Sequence, residues 1–209
     1  MSNENKYQVK ESYKQPFPDI NHAFWHENIT GVLINQYKDL MKGNIADFGC
    51  NNGINVGKIS ILSSVDKIVG FDINEEAIEE AKNIILPQVK ENSNKISFVK
   101  TNLTNINWEK EYFDFAYSFH TLEHIFPEDV DSVIEQITSL LKKEALLLIN
   151  LPDKHSYAWE KTHVFHPDLS ELNQLFTNKG YAVVESYHDQ RGGQTGHSQN
   201  ITALYKKIF

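Results

Sequence analysis

The chain has one cysteine, Cys50, among its 209 residues. That excludes an intramolecular disulfide and leaves no cysteine cluster to hold zinc. Long apolar runs are missing too: no window approaches eighteen uninterrupted apolar residues, so no membrane-spanning helix is expected. The N-terminal stretch MSNENKYQVKESYKQ lacks the apolar centre of a secretory signal, and a cytoplasmic location is the expectation. Positive charge is in deficit, with twenty Lys and Arg against twenty-eight Asp and Glu, a formal net charge of −8. Basic residues adjoin only at Lys142–Lys143 and Lys206–Lys207. Proteins that grip nucleic acid draw much of their affinity from neutralising phosphates. The balance here argues against a nucleic-acid partner and for a small-molecule substrate.

No repeat of twenty to fifty residues and no Pro/Gly/Ser-rich linker divides the chain, so one domain is expected. Apolar runs at Asn44–Phe48, Lys67–Phe71, Ile96–Val99, Phe113–Tyr117, Ala145–Leu151, Tyr181–Ser186 and Ile201–Tyr205 read as strands. Amphipathic segments separate most of them. One places Val130, Val133, Ile134, Ile137, Leu140 and Leu141 on a helical face, with Pro127 near its start and Lys142–Lys143 at its end. A second starts from Asn74 as N-cap, with Glu75 and Glu76 at the positive end of the helix dipole. A third opens near Pro167, with His166 as its cap, buries Leu169, Leu172 and Phe176, and stops at Gly180.

This alternation predicts an α/β fold: a doubly wound, Rossmann-like, mostly parallel sheet of seven strands with helices on both faces. Only the polar loop His188–Asn200 separates the last two strands, which predicts a hairpin and an antiparallel last strand. A helix over about Phe24–Met41 would form an N-terminal cap, preceded by the aromatic residues Tyr7, Tyr13 and Phe17.

The most informative stretch is Ile45-Ala46-Asp47-Phe48-Gly49-Cys50-Asn51-Asn52-Gly53-Ile54-Asn55-Val56-Gly57. It reads as strand, tight turn and helix start, the place where doubly wound sheets bind ligands. Gly49 and Gly53 let the backbone approach a ligand closely. Asn51 takes the place of a third glycine, and Asn tolerates left-handed backbone. The turn has an acid and no lysine, so the Walker pattern is absent. About twenty-five residues on, the second strand ends in Asp72, placed to accept two hydrogen bonds from a ribose diol. A pyrophosphate would be repelled by Asp47, which turns the reading from NAD towards another adenosine ligand.

At these residues the chain resembles the class I S-adenosylmethionine-dependent methyltransferases, in particular the broad subgroup of ubiquinone-pathway O-methyltransferases and natural-product and sugar methyltransferases. The resemblance covers about Ile45 to Tyr205. Asp47-Phe48-Gly49-Cys50-Asn51-Asn52-Gly53 matches the first motif apart from Asn51, and Phe71-Asp72-Ile73 the second. Asn102-Leu103 matches the third, with Asn102 where Asp is more usual. Phe113-Asp114 with Leu122-Glu123-His124-Ile125 matches the fourth. The resemblance implies that Asp47, Gly49, Cys50 and Gly53 hold the methionine part of S-adenosylmethionine, and later of the product S-adenosylhomocysteine. Asp72 would bind the ribose and Ile73 pack on the adenine. Asn102 and Leu103 would meet the adenine edge, and Ser118 and Phe119 line the transfer site. Residues 1–42 would be the cap segment of the domain formed by residues 43–209.

The expected reaction is methyl transfer to a small-molecule acceptor at a hydroxyl oxygen, with His120, just past the fourth strand, as general base. Two alternatives stand beside it: a metal-dependent 2′-O-methyltransferase of RNA, and a non-catalytic S-adenosylmethionine-binding module. Ubiquinone-type and small-RNA methyltransferases hold a divalent metal with Glu-x-x-Glu-His and a distant histidine. Here His120 replaces the first Glu, and His120, Glu123, His124 and His163 would suit zinc or another transition metal. The same Glu-His also serves as packing in metal-free relatives, so no metal ligand is expected. Cys50 reads as a small buried side chain. Tyr157, Trp159 and the Arg191–Gly196 loop are candidate acceptor contacts.

Overall fold

The computed structural model describes residues 29–154, 156, 161–189 and 199–209. The chain begins there with α1 (Ile29–Tyr37), a tight helical turn at Lys38–Leu40 and β1 (Gly43–Phe48). It continues through α2 (Ile54–Ser60), β2 (Val65–Asp72), α3 (Glu75–Gln88), β3 (Ile96–Lys100) and β4 (Phe113–Phe119). The remainder is α4 (Pro127–Leu140), β5 (Leu141–Pro152), α5 (Leu169–Asn178), β6 (Tyr181–Asp189) and β7 (Asn200–Lys207). The strands form one seven-stranded sheet in the order β3-β2-β1-β4-β5-β7-β6. All pairings are parallel except those of β7, which inserts antiparallel between β5 and β6. The expected seven strands, mostly parallel with an antiparallel last strand, are thus present.

The central strands read as near-continuous apolar runs because both faces of the sheet are covered. On one face α1, α2 and α3 bury Leu33, Ile34, Val56, Ile59, Ile78 and Ile85 against Ile45, Phe115 and Leu148. On the other, α4 and α5 bury Val133, Ile134, Ile137, Leu172 and Phe176 against Ala46, Leu147 and Tyr205. Asn74 caps α3, its side chain accepting from the Ala77 N–H at 3.3 Å.

Three local expectations differ from the structure. The helix expected to end at Lys142–Lys143 stops at Leu140, and Leu141 starts β5 paired with Phe113. Glu144, at φ 67°, then bulges the strand before Leu146 pairs with Phe115. Lys142 instead reaches Asp114, 2.7 Å away. The cap of α5 is Asp168 and not His166: Asp168 accepts from the Glu171 N–H, and Glu171 accepts from the Asp168 N–H. A carboxylate satisfies the free N–H groups at a helix start, as an imidazole does less well. The first helix spans Ile29–Tyr37 among the described residues, shorter than the Phe24–Met41 pattern at its C-terminal end, where the chain tightens into a 3₁₀ turn. Tyr7, Tyr13, Phe17, Tyr157, Trp159 and the loop Arg191–Gly196 lie outside the described residues. No helix among the described residues is long and apolar enough to cross a membrane.

Candidate active site

At the carboxyl end of β1 the chain turns sharply through Gly49, Asn51 and Gly53, all with positive φ (87°, 47° and 75°). The glycines adopt this backbone without strain, and Asn is among the residues most tolerant of it. Space imposes a second constraint: a Cβ on Gly49 would collide with the Thr121 side chain, so the turn is locked against the segment that follows β4. The Gly49 and Cys50 N–H groups both donate to the Phe71 carbonyl, at 2.8 and 3.0 Å, and Gly53 N–H donates to Cys50. With these N–H groups satisfied internally, the turn offers carbonyls and the Asp47 carboxylate to a ligand.

The carboxylate is Asp47, only 2 % exposed. It accepts a hydrogen bond from the Tyr117 hydroxyl at 2.8 Å. Burial pushes its pKa up to about 8, opposed by the Tyr117 bond and assisted by the nearby charge of Asp72. Tyr117 is itself driven up by burial and by Asp47, so it stays protonated and donates. A buried acid of this kind favours a cationic ligand, which would restore its charge.

Asp72 ends β2 and holds the turn from the other side. One oxygen accepts from the Asn51 N–H at 2.7 Å and the other from the Asn74 N–H at 2.8 Å. Burial raises its pKa and these backbone donors lower it. Each oxygen keeps lone-pair capacity for a further donor. Ile73, partly exposed, follows at the entrance to α3. Across from it, Asn102 folds its side-chain oxygen onto the Thr104 N–H and hydroxyl, both at 3.0 Å, and Leu103 is buried beneath. Cys50 is buried, and burial raises its thiol well above the usual range, which keeps it an unreactive packing group.

At the end of β4, Ser118 and Phe119 part company. Ser118 donates its hydroxyl to the Phe48 carbonyl at 2.9 Å, joining two strand ends. Phe119 packs on Tyr117, ring centroids 4.9 Å apart, on the face that carries Asp47. His120 then adopts φ 52°, a left-handed backbone uncommon for a non-glycine residue and frequent at functional positions. Its N–H donates to the Asn150 carbonyl at 2.8 Å, and its side chain remains 34 % exposed. Nδ1 lies 3.3 Å from the carboxylate of Glu123, which is 1 % exposed, an approach too poorly aligned to count as a hydrogen bond.

Glu123, His124 and His163 converge, with one potential ligand atom from each lying within 4.8 Å of the others. His124 Nδ1 lies 3.1 Å from the Thr162 carbonyl. As a donor there, it leaves Nε2 with an open lone pair, the arrangement common behind metal-binding histidines. Neither oxygen of the buried Glu123 carboxylate has a hydrogen-bond partner. His166 stands apart, its Nε2 2.8 Å from the His163 carbonyl. Sequence reasoning missed Tyr117 and Thr121, because only the register between β1 and β4 brings them to Asp47 and Gly49.

A glycine turn after β1, an acid at the end of β2 and a buried acid beneath the turn thus come together at the carboxyl end of a Rossmann-like sheet. The methyltransferase-domain family profile matches residues 25–186. The chain belongs to that family, and it is an enzyme of the S-adenosylmethionine-dependent methyltransferase class. Among curated proteins none matches it. Solved structures share the fold at low identity. The [4+2]-cyclase SpnF superposes with a TM-score of 0.72 at 13 % identity, over 90 % of this chain and 83 % of its own. The methyltransferase domain of a bacterial Hen1, CtHen1-C, gives 0.71 at 15 %, over 88 % and 98 %. The N-methyltransferase NodS from Bradyrhizobium japonicum, solved with S-adenosyl-L-homocysteine, gives 0.66 at 14 %, over 90 % and 94 %.

Proposed function

We propose that this enzyme transfers the methyl group of S-adenosylmethionine to a hydroxyl oxygen of a small molecule. The observation that carries the reading is His120. It is partly exposed on a left-handed backbone just past β4, with Nδ1 3.3 Å from the buried Glu123 carboxylate. A carboxylate behind Nδ1 favours the tautomer with its proton there, leaving Nε2 free to accept one.

When bound, S-adenosylmethionine supplies a methyl group already activated by its sulfonium. The chain's task is then to align, to exclude water and to take a proton. Asp47 and the Gly49–Gly53 turn would hold the methionine portion, Asp72 the ribose diol, and Ile73, Asn102 and Leu103 the adenine. Phe119 forms a dry wall beside the transfer path. His120 Nε2 would take the proton of the acceptor hydroxyl, and Glu123 would support the resulting imidazolium. A neutral hydroxyl is poorly nucleophilic, so a positioned base is what an O-acceptor needs.

The experiment is S-adenosylhomocysteine formation over a panel of hydroxylated and amine acceptors, with wild type and His120→Ala compared. Turnover of a hydroxyl acceptor, lowered roughly 100-fold in the variant with S-adenosylhomocysteine affinity retained, is expected. Turnover of amines alone, unaffected by the variant, would refute the reading.

A second reading is favoured by the convergence of Glu123, His124 and His163. Two imidazoles and a carboxylate suit zinc or another transition metal, which would lower the pKa of a bound acceptor hydroxyl. On this reading the 2′-hydroxyl of RNA joins the acceptor panel, and activity disappears with chelator.

A further inference from the structure

The carboxyl end of β3 lies against Asp72. Lys100 pairs with Asp72 in register, and the Thr101 N–H donates to the Asp72 carbonyl at 2.7 Å. Asn102 follows at once, on a strand end about 5 Å across from the one that carries the proposed ribose acceptor. On the other side of Asp72 is the Gly49–Gly53 turn, proposed for the methionine portion. A nucleoside held by its sugar at Asp72 therefore has the β3 end left for its base.

Asn102 is half-buried there, and one end of its amide is already committed. Oδ1 accepts from the Thr104 N–H and from the Thr104 hydroxyl, both at 3.0 Å. A backbone N–H only donates, so the atom facing it is the oxygen and the orientation of the amide is fixed. The Asn102 carbonyl is occupied as well, by the Asn105 N–H at 3.0 Å. What remains is Nδ2, which has no hydrogen-bond partner among the described residues. The acid more usual at this place in the resembled family would present a second oxygen. Asn102 presents an N–H group in the same position.

We propose that Asn102 is a specificity-determining residue that reads the cofactor's nucleobase as a donor, from Nδ2 to the ring nitrogen N1, and leaves the exocyclic amino group unread. The inference rests on the methyltransferase reading of this site. With the sugar held at Asp72, the base presents the edge remote from its glycosidic bond. That edge of adenine carries one acceptor, N1, beside one donor, the amino group. Nδ2 against the amino group would set donor against donor. Turning the amide to offer its oxygen would break both bonds to Thr104 and leave the Thr104 N–H without an acceptor. N1 is the partner that costs neither.

The test is calorimetric titration of wild type and Asn102→Asp with S-adenosylhomocysteine and with its 1-deaza analogue, in which C–H replaces N1. Asn102→Asp keeps the oxygen that holds Thr104 and exchanges only the open donor for an acceptor. Wild type should bind the 1-deaza analogue about tenfold more weakly than the parent, as one hydrogen bond is lost. In Asn102→Asp the parent should weaken by a similar factor and the difference between the two ligands should vanish, because a carboxylate gains nothing from N1. Equal binding of the two ligands by wild type would overturn the assignment, and that comparison needs no variant. So would a penalty of the same size in both proteins, which would set N1 against another donor. Failure of wild type to bind S-adenosylhomocysteine at all would strike the cofactor reading itself. Binding of the parent with either overturning pattern strikes the Asn102 assignment alone.

Discussion

Tyr117 and Asp47, seventy residues apart in the chain, meet through a 2.8 Å hydrogen bond inside the sheet, with both side chains almost wholly out of water. The pair puts a protonatable acid directly beneath the turn proposed to receive the cofactor. Its titration has consequences for both stability and binding.

Asp47 titrates near pH 8 in the folded protein, against an ordinary value of 3.8. The folded state therefore holds a proton that the unfolded state has lost, and stability declines as pH rises from about 4 to about 8. The total effect is on the order of 5 kcal/mol before relaxation of the site. Asp72, also raised by burial, acts in the same direction. Denaturant melts between pH 5 and pH 7 isolate these acids, since Lys58, pushed down to about 7 by burial, contributes mainly above that window. Wild type should lose stability across the window and Asp47→Asn should lose clearly less. A parallel pH slope in the variant would remove Asp47 as the source. Binding of the sulfonium cofactor should release a proton near neutral pH, read as a buffer-dependent heat in calorimetry.

Asp72→Ala should do two things at once. It removes the proposed ribose acceptor and also the partner of the Asn51 and Asn74 N–H groups. We expect S-adenosylhomocysteine affinity to drop roughly 100-fold and stability to fall by about 1–3 kcal/mol. Asp72→Asn, which keeps one acceptor oxygen, should recover part of the stability and little of the affinity. Unchanged affinity in both variants would exclude Asp72 from the cofactor site.

Gly49→Ala should destabilise by on the order of 3 kcal/mol, because strain at φ 87° adds to a collision with Thr121. Pairing it with Thr121→Ser removes one methyl group and should recover part of the loss. Equal melting of the single and double variants would show that the backbone angle alone matters.

Glu123 separates the two proposed chemistries. With metal bound, wild type should melt higher in zinc or manganese than in EDTA, and Glu123→Gln and His163→Ala should each abolish the rise. If Glu123 only supports His120, metal and chelator leave melting unchanged, while Glu123→Gln lowers turnover on a hydroxyl acceptor. Equilibrium dialysis with zinc gives the stoichiometry directly.

Short-range pattern carried much of the fold. The helix start at Asn74, the glycine turn and the apolar strands were all legible because each depends on neighbours within a few residues. Among the elements misjudged at their ends, the one around Leu141 shows where that reach stops. Leu141 fits the apolar face of a helix as well as the start of a strand, and only its pairing with Phe113 selects the strand. The cap at Asp168 is a local signal, because Asp168 and Glu171, three residues apart, form the capping box between themselves.

The sequence by itself determined an α/β chain of the methyltransferase class, with a left-handed turn at Gly49, Asn51 and Gly53 and acids at two strand ends, since such features are written in local composition and spacing. Tertiary structure alone decided the insertion of β7 between β5 and β6, the Tyr117–Asp47 bond, and the convergence of Glu123, His124 and His163. Those contacts depend on strand order and register. A slip of one residue would turn each of these strand side chains to the opposite face, and no local pattern records which strand lies beside which.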